Sequence, residues 1–504
     1  MSGIVSCSQL RAFERAVIDA GAPSLTLMER AGQACAAAID SRITPHSRVA
    51  VLAGPGNNGG DGYVVSRILA GLGHKVRVFG VGAATADARH MAALQQTAVE
   101  PPDPAALRQF APQAIVDALF GIGLSRAPDS TMSALIDESN RLHGSGALVA
   151  AVDLPSGYPG DGGDAFGAAI KADLTVTFHA MKPVHVLYPG RAACGEIIVA
   201  DIGLGPNPEP SRYALNERPE ILARSAVEET AHKYDRGHAL VLAGGIEGAG
   251  AARLSARAAL RAGAGLVTLG VPEAALLAHA SRGPDALMVR KVDGSEGLAS
   301  ILADKRKNAA VVGPAYGVGA TTREAVRSLL GIGRSVVLDA DALMSFEGDV
   351  MTLRSFIEAG SGEVVITPHA GEFLRLFKDL SGVSEALHQQ IASKSKLERA
   401  LAAAVILGVT VVYKGADTVI AAPDGRCLVN LNAPPWLGTA GSGDVLAGMI
   451  GGLLAQGLSG FDAARAAVWL HGEAGNVAGR GLIADDLPET LWTVFRNAAA
   501  AAAS

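Results

Sequence analysis

Short β-branched runs alternate with longer Ala- and Leu-rich stretches along nearly the whole chain, and the alternation restarts after a proline-rich break. Strands separated by helical stretches are the pattern of parallel α/β sheets, in which each helix is a crossover between neighbouring strands. Such a fold needs a tight turn wherever a strand gives way to a helix. The chain supplies glycine for those turns: 61 of its 504 residues are Gly, well above the roughly 7% of ordinary proteins. Glycine also lets backbone come close to a ligand. With 49% hydrophobic and 18% charged residues, large cores can be buried and wholesale disorder is excluded. Aromatics at 4% exclude a stacking surface for nucleic acid as the main theme.

In the first part, strands are expected at Arg48–Leu52, Val76–Phe79, Ala114–Val116, Ala147–Val152, Leu174–Phe178 and Glu196–Val199. The stretch Gly205-Pro-Asn-Pro-Glu-Pro-Ser211 cannot continue a helix or a central strand. It reads as a linker with a domain boundary near residues 205–218. The second part is expected to place strands at Ala239–Leu242, Leu266–Leu269, Ala309–Val312, Val336–Leu338, Val364–Ile366 and Val409–Tyr413. A hairpin over Gly415–Val429 should turn at Pro423-Asp424-Gly425, and the Ala498–Ala503 run should fray from a last helix. Two α/β domains are expected, over residues 1–213 and 219–500.

The formal charge of −6, from 43 Lys and Arg against 49 Asp and Glu, gives no reason to expect a nucleic-acid or membrane partner. Cys7, Cys35, Cys194 and Cys427 form no C-x-x-C pair, which argues against a disulfide framework or a zinc site and fits a reducing cytoplasm. The first twenty residues hold Arg11, Glu14, Arg15 and Asp19, unlike a secretory signal peptide. The longest apolar run, Ala402–Val412, is too short to span a bilayer.

Two glycine-rich segments carry the chemistry. The first, Gly54-Pro-Gly-Asn-Asn-Gly-Gly-Asp-Gly62, follows a strand and precedes an apolar helix expected from Tyr63. A helix N-terminus reached through such a loop is an anion or nucleotide site. Gly54-x-Gly56-x-x-Gly59 matches the dinucleotide fingerprint, but the acid expected at the end of the second strand is missing from Phe79-Gly-Val-Gly82, so an ordinary NAD-dehydrogenase reading fails. Two other strand ends carry polar residues, Val116-Asp117-Ala118-Leu119-Phe120-Gly121-Ile-Gly123 and Ala151-Val152-Asp153-Leu154-Pro155-Ser156-Gly157. In a parallel sheet these ends converge on one crevice. Asn58, Asp117 and Ser156 offer only oxygens, which suits a hard monovalent cation better than zinc; the alternative for Asp117 and Ser156 is a capping or turn role.

With Met28-Glu-Arg-Ala-Gly32 upstream and Lys182…Pro189-Gly190…Asp201-Ile-Gly203 downstream, residues 8–213 resemble the NAD(P)H-hydrate epimerases, a Rossmann-like three-layer fold. The resemblance implies interconversion of the R and S hydrates of reduced nicotinamide dinucleotides with a bound potassium ion. It implies nucleotide contacts from Asn57, Asn58, Gly59, Gly60 and Asp61, and from Gly121, Ile122, Gly123, Leu124, Ser125, Arg126 and Ala127. Asn58, Asp117 and Ser156 would hold potassium. Asp153 would be the acid/base carboxylate, a role that suits reversible proton transfer beside a cationic ring intermediate.

The second segment, Leu437-Gly-Thr-Ala-Gly-Ser-Gly-Asp-Val-Leu-Ala-Gly448, presents free N–H groups to phosphate at a helix start, with an Asp beside them able to take a proton from an attacking hydroxyl. It looks like the anion hole and base of ribokinase-like phosphotransferases. Ala262-Gly-Ala-Gly-Leu-Val-Thr268, Gly313-Pro-Ala-Tyr-Gly317, Val337-Leu-Asp-Ala-Asp-Ala-Leu343, Thr367-Pro-His-Ala-Gly-Glu372 and Lys414-Gly-Ala-Asp-Thr418 stand in the order found in NAD(P)H-hydrate dehydratases. That resemblance covers residues 219–497 and implies a ribokinase-like α/β domain. Ala264, Gly317, His369 and Asp444 would face the hydrate, and Lys414, Gly415, Ala416, Asp417, Thr418 and Gly443 the adenine nucleotide. ADP, carried with Mg²⁺, is the expected co-substrate, because bacterial fused members of the family use it. His369 could instead be structural. Asp339 and Asp341 could cap a helix or act as metal- or phosphate-side acids. Met344 and Tyr316 depart from the family pattern. A homo-oligomer acting on hydrated NADH or NADPH is the expected assembly. The alternatives are a ribokinase-like kinase for a small alcohol and a non-catalytic pyridine-nucleotide binding module.

Overall fold

The computed structural model describes residues 3–206, 211–222 and 232–503, so residues 207–210 of the proline-rich linker lie outside the described residues. The chain divides into two compact units, Ser2–Arg212 and Tyr213–Ser504, with Lys394–Lys396 grouping with the first. All four cysteines are buried and free. Among the described residues no helix is long and apolar enough to cross a membrane.

The first unit is built on strands β1 (Arg48–Ala53), β2 (Lys75–Gly80), β3 (Val99–Glu100), β4 (Ala114–Ala118), β5 (Leu148–Val152), β6 (Leu174–Phe178) and β7 (Glu196–Ala200). They lie in the order β3-β2-β1-β4-β5-β6-β7, all parallel. Successive strand residues point to opposite faces, and both faces are covered. Val49, Val51, Val116, Ala150 and Val176 pack against the helices Ser24–Asp40 and Asn57–Gly71. Ala50, Leu52, Ile115 and Val149 pack against Leu107, Leu135, Ile136 and Leu142 on the other side. This is the three-layer, doubly wound arrangement expected from the alternation. Chain direction across the sheet reverses between β1 and β4, which opens a crevice at their C-terminal ends.

The helix after β1 starts at Asn57, not at Tyr63. Glycine disfavours helix interiors by roughly 1 kcal/mol per residue, but here close packing overrides propensity. A Cβ on Gly59 would stand 1.9 Å from the Gly54 carbonyl oxygen, one on Gly60 would stand 2.6 Å from Met28 Sδ, and one on Gly62 would stand 2.6 Å from Ala118 Cβ.

The second unit carries β8 (Tyr213–Leu215), β9 (His238–Leu242), β10 (Leu266–Val271), β11 (Met288–Lys291), β12 (Lys307–Val312), β13 (Ser335–Leu338), β14 (Val364–Ile366), β15 (Thr410–Tyr413), β16 (Val419–Ala421) and β17 (Cys427–Val429). The order is β8-β17-β16-β15-β14-β13-β12-β9-β10-β11. The strands from β15 across to β11 are parallel, while β15, β16 and β17 form an antiparallel meander. The β16–β17 hairpin turns at Pro423-Asp424-Gly425, as the sequence indicates. The Ala498–Ala503 run continues the last helix, Asp486–Ala503.

Helix Ser442–Ala455 is buried along almost its whole length and packs against helix Ala249–Arg261 and strand β12. Its glycines permit this: a Cβ on Gly448 would lie 2.0 Å from Ser255 O, one on Gly451 would lie 2.3 Å from Val311 Cγ2, and one on Gly452 would lie 2.5 Å from Ala259 O.

Candidate active sites

In the first unit the crevice between β1 and β4 opens into a cavity of about 760 Å³, lined among others by Asn57, Asn58, Asp61, Asp153 and Gly121 through Arg126. Asp153 follows β5 with φ 68°, a left-handed conformation unusual for a residue with a side chain. Its N–H donates to Val176 O at 2.8 Å, and its own carbonyl accepts from His185 Nε2 at 2.9 Å, so the backbone is held from both sides. The carboxylate Oδ1 accepts from Lys182 Nζ at 2.7 Å and from Thr177 Oγ1 at 3.0 Å. Oδ2 has no partner among the described residues. Burial alone would push the Asp153 carboxyl up, but the Lys182 charge and hydrogen bond outweigh it and hold the group below the usual carboxylate range. Lys182 is fully buried. Burial, followed by the Lys182 charge, takes His185 down to about 4, so the ring is neutral; its Nδ1 accepts from Lys182 N–H at 2.8 Å.

Glu14, Asp61 and Asp87 face the same cavity. Asp61 is pushed well up by burial and then by the charges of Asp153 and Glu14. Glu14 is raised first by burial and next by Asp153. One ionised carboxylate among groups driven toward the neutral form is an arrangement that can separate acid and base roles.

Asp117 and Ser156 lie fully buried beneath the cavity and bind each other. Asp117 Oδ1 accepts from Ser156 Oγ at 2.7 Å and from Leu119 N–H at 3.2 Å, and Oδ2 accepts from Ser156 N–H at 2.7 Å. Burial raises the Asp117 carboxyl to about 6 against these hydrogen bonds. Asn58 sits against Gly121, with its Nδ2 buried and unpartnered. Gly59 and Gly60 do not line the cavity; they serve helix packing. Ala127 also lies outside its walls.

In the second unit, Gly441 (φ 87°) caps the helix whose first turn holds Ser442, Gly443 and Asp444. His471 Nε2 lies 3.0 Å from Ser442 O and pins that turn. Lys414, directly after β15, reaches the same place: a Cβ on Gly443 would be 3.5 Å from its Nζ. Lys414 Nζ donates to Asp339 Oδ1 at 2.6 Å and lies 3.7 Å from Glu372 Oε2. Burial would lower the amine's pKa, but Asp339 and Glu372 together keep it raised. Thr367 Oγ1 donates to Asp339 Oδ1 at 2.7 Å. Asp339 is therefore the partner of Lys414 and caps no helix. Asp341 begins the short helix Asp341–Met344 and accepts from Gly317 N–H at 2.8 Å, which ties the end of the Gly313–Gly317 loop to that helix. Met344 Sδ faces the Arg375 guanidinium at 3.9 Å.

Asp444 stands in this ring of charge. Burial raises its carboxyl to about 6, Asp339 pushes further, and Lys414 opposes. His369 caps the helix Ala370–Leu376 in a capping box with Glu372. Its Nδ1 accepts from Gly371 N–H at 3.0 Å, and Nε2, on an exposed ring, lies 3.5 Å from Glu372 Oε1. Gly415 and Thr418 close a turn through Thr418 Oγ1 and Gly415 O at 2.8 Å; Ala416 is exposed at its tip and Asp417 is buried.

Ala264 is the one residue that the structure removes from this group. It precedes β10 and so lies at the N-terminal edge of the sheet, two residues after Ala262, whose carbonyl accepts from Gln456 just past the far end of helix Ser442–Ala455. The glycine stretch at the correct edge is Gly244–Gly250 after β9, where a Cβ on Gly244 would meet Ala315 O at 2.1 Å. Lys182, Thr177, Glu372 and His471 had no assigned role in the sequence. Glu372 was findable as the third residue of a capping box.

A family model described as NAD(P)H-hydrate dehydratase matches residues 239–493, and one described as YjeF-related protein N-terminus matches residues 24–184. A bifunctional NAD(P)H-hydrate repair enzyme of Thermofilum pendens is 34% identical over 94% of this chain and 92% of its own. Its counterpart in Pyrobaculum aerophilum is 35% identical over 95% of each chain. The chain belongs to the bifunctional NAD(P)H-hydrate repair enzyme family. The family expected from the motifs is thus the family found, with one matching model on each unit. An ADP/ATP-dependent NAD(P)H-hydrate dehydratase from Bacillus subtilis, co-crystallised with ATP and Mg²⁺, is 29% identical over 54% of this chain and 93% of its own, with a TM-score of 0.45.

Proposed function

We propose that this chain repairs hydrated NADH and NADPH at two separate sites, epimerising the R and S hydrates in the first unit and dehydrating the S hydrate in the second at the expense of ADP. The observation that carries the reading is Asp444. It is a half-buried carboxyl raised to about 6, in the first turn of a glycine-led helix beside Lys414.

Asp444 takes the proton of the C6 hydroxyl as its oxygen attacks the terminal phosphorus of ADP. The P–O bond to the leaving AMP breaks, and the backbone N–H groups of the Gly441–Gly443 turn and the Lys414 ammonium meet the charge on the phosphoryl oxygens. The C6 phosphate ester then departs as phosphate with loss of a proton from C5, which restores the dihydropyridine. His369 Nε2 and the Gly317 loop are placed to hold the hydrate. Among the described residues no three acidic, His or Cys side chains converge as a metal cage. Mg²⁺ would ride on the nucleotide phosphates with an Asp341 oxygen, supplying charge neutralisation.

In the first unit, Asp153 Oδ2 moves the proton at the hydrate while the ionised group offsets positive charge on the ring. Asn57, Asn58, Asp61 and Gly121 through Arg126 line the dinucleotide's place. The all-oxygen set of Asp117, Ser156 and Asn58 suits potassium. Asn58 fits best: amide orientation is an assignment, and a buried NH₂ without an acceptor is relieved when the amide oxygen faces a cation instead. The cytoplasm, where reduced dinucleotides are used, is the proposed compartment.

The test is incubation of the purified chain with hydrated NADH and ADP while reduced-nicotinamide absorbance and free phosphate are followed together. Both should rise in step. A stable phosphorylated product without absorbance recovery would make the chain a small-alcohol kinase, and nucleotide binding without turnover would make it a binding module.

A further inference from the structure

The second unit holds a cavity of about 670 Å³, not lined by Asp444, that runs from the N-terminal ends of β9, β10 and β12 along the outer strand β11. Small-molecule sites occupy roughly 300–1,000 Å³. Helix Ser442–Ala455 spans the distance between the two places, with its 14 residues about 21 Å long. Beyond its far end Gln456 bonds Ala262 O, and a Cβ on the neighbouring Gly265 would lie 1.8 Å from the carbonyl of Lys233, a residue of the cavity wall.

The cavity's floor is polar where a sheet face is usually apolar. His238, Thr268 and Lys307 are 4%, 2% and 9% exposed. His238 and Lys307 are register partners on adjacent strands. His238 Nε2 shares a 2.8 Å hydrogen bond with Thr268 Oγ1, and its Nδ1 is buried with no partner. Burial, then the Lys307 charge, brings the ring down to about 4, so His238 is neutral. Lys307 Nζ pairs with Asp304 at 2.8 Å, which also takes Arg306 at 2.9 Å. Asp293 and Glu296 also line the wall, but at the mouth neither Arg290 nor Lys233 has a carboxylate partner among the described residues. Arg290 donates only to Val289 O, and Lys233 lies over the Tyr234 ring, whose centroid is also 4.6 Å from the Arg306 guanidinium.

We propose that this cavity is a second ligand site that takes a small phosphate monoester, with anionic oxygens between Lys307, Arg290 and Lys233 and the organic part against Tyr234. His238 and Thr268, bonded to each other, form the polar floor beneath it. Cations without carboxylate partners attract the anion into the cavity, and the paired Lys307 sets how far in it comes to rest. No part of this depends on what Asp444 does.

Ribose 5-phosphate, a phosphate ester without a base, is the probe. It is titrated calorimetrically into the full chain and into the Arg290→Glu and Lys414→Ala variants. Lys414→Ala should retain wild-type affinity, while Arg290→Glu should lose about tenfold or more, the worth of a charge-assisted contact reversed. If Arg290→Glu does not fold, Lys233→Glu should show the same loss. Absence of binding to the wild-type chain at millimolar probe would overturn the assignment. So would binding that disappears in Lys414→Ala and is unaffected by the charge reversals at the cavity mouth.

Discussion

Asp153 is a buried carboxyl and Asp444 a half-buried one, and their surroundings drive them in opposite directions. Lys182 holds Asp153 ionised, and burial with Asp339 lifts Asp444 to about 6. A general base works only when ionised, so dehydration should fall as pH drops through about 6, while epimerisation should persist to lower pH. Rate profiles for each reaction, followed by chromatography that resolves the two epimers, check this. Asp444→Asn should reduce dehydration by about 10²–10⁴-fold and leave epimerisation intact. Lys182→Met removes the partner of a buried carboxylate, which should cost about 3–5 kcal/mol in urea unfolding. It should also move the acid limb of epimerisation to higher pH, because burial of Asp153 is then unopposed. An unshifted limb would mean that Lys182 only fills space. Asp153 and Asp444 were legible in the sequence because an acid at a strand end or helix start has little to do for packing. Lys182 was not, because its pairing joins residues 29 positions apart, and nothing local marks a lysine that will be buried.

At the scale of elements, glycine does two jobs that the sequence does not separate. Gly59 and Gly448 face neighbouring backbone at 1.9 and 2.0 Å from a would-be Cβ, whereas nothing lies within 4 Å at Gly56. Gly59→Ala and Gly448→Ala should therefore each destabilise by about 1–3 kcal/mol or more, and Gly56→Ala should stay within about 0.5 kcal/mol, as read from denaturant midpoints. Equal midpoints for all three would remove the packing argument. Reading every glycine as part of a turn placed the first helix at Tyr63, when packing lets it start at Asn57. Ala264 came into the site through the family resemblance, and its place in the sheet takes it out again. Ala262–Gly265 precedes a strand rather than following one, and in a parallel sheet that difference alone puts it at the edge away from the chemistry.

Across the whole molecule, the alternation of apolar runs and helical stretches yielded both sheets because their central strands are covered on two faces and read as continuous hydrophobic segments. The missed strands, β3, β8 and β11, are short, and β11 ends in Arg290 and Lys291; brief, charged strands carry little apolar signal. Each unit has its own strand reversal and its own carboxylate at it, so the central claim is that one chain runs two independent reactions. The most direct test supplies the separated R hydrate of NADH with ADP to the wild-type chain and to Asp153→Asn, with the S hydrate as the parallel substrate. The wild-type chain should return NADH from both epimers. Asp153→Asn should return it from S at the wild-type rate and leave R unconverted over the same period. A variant that repairs both epimers equally, or neither, would contradict the account.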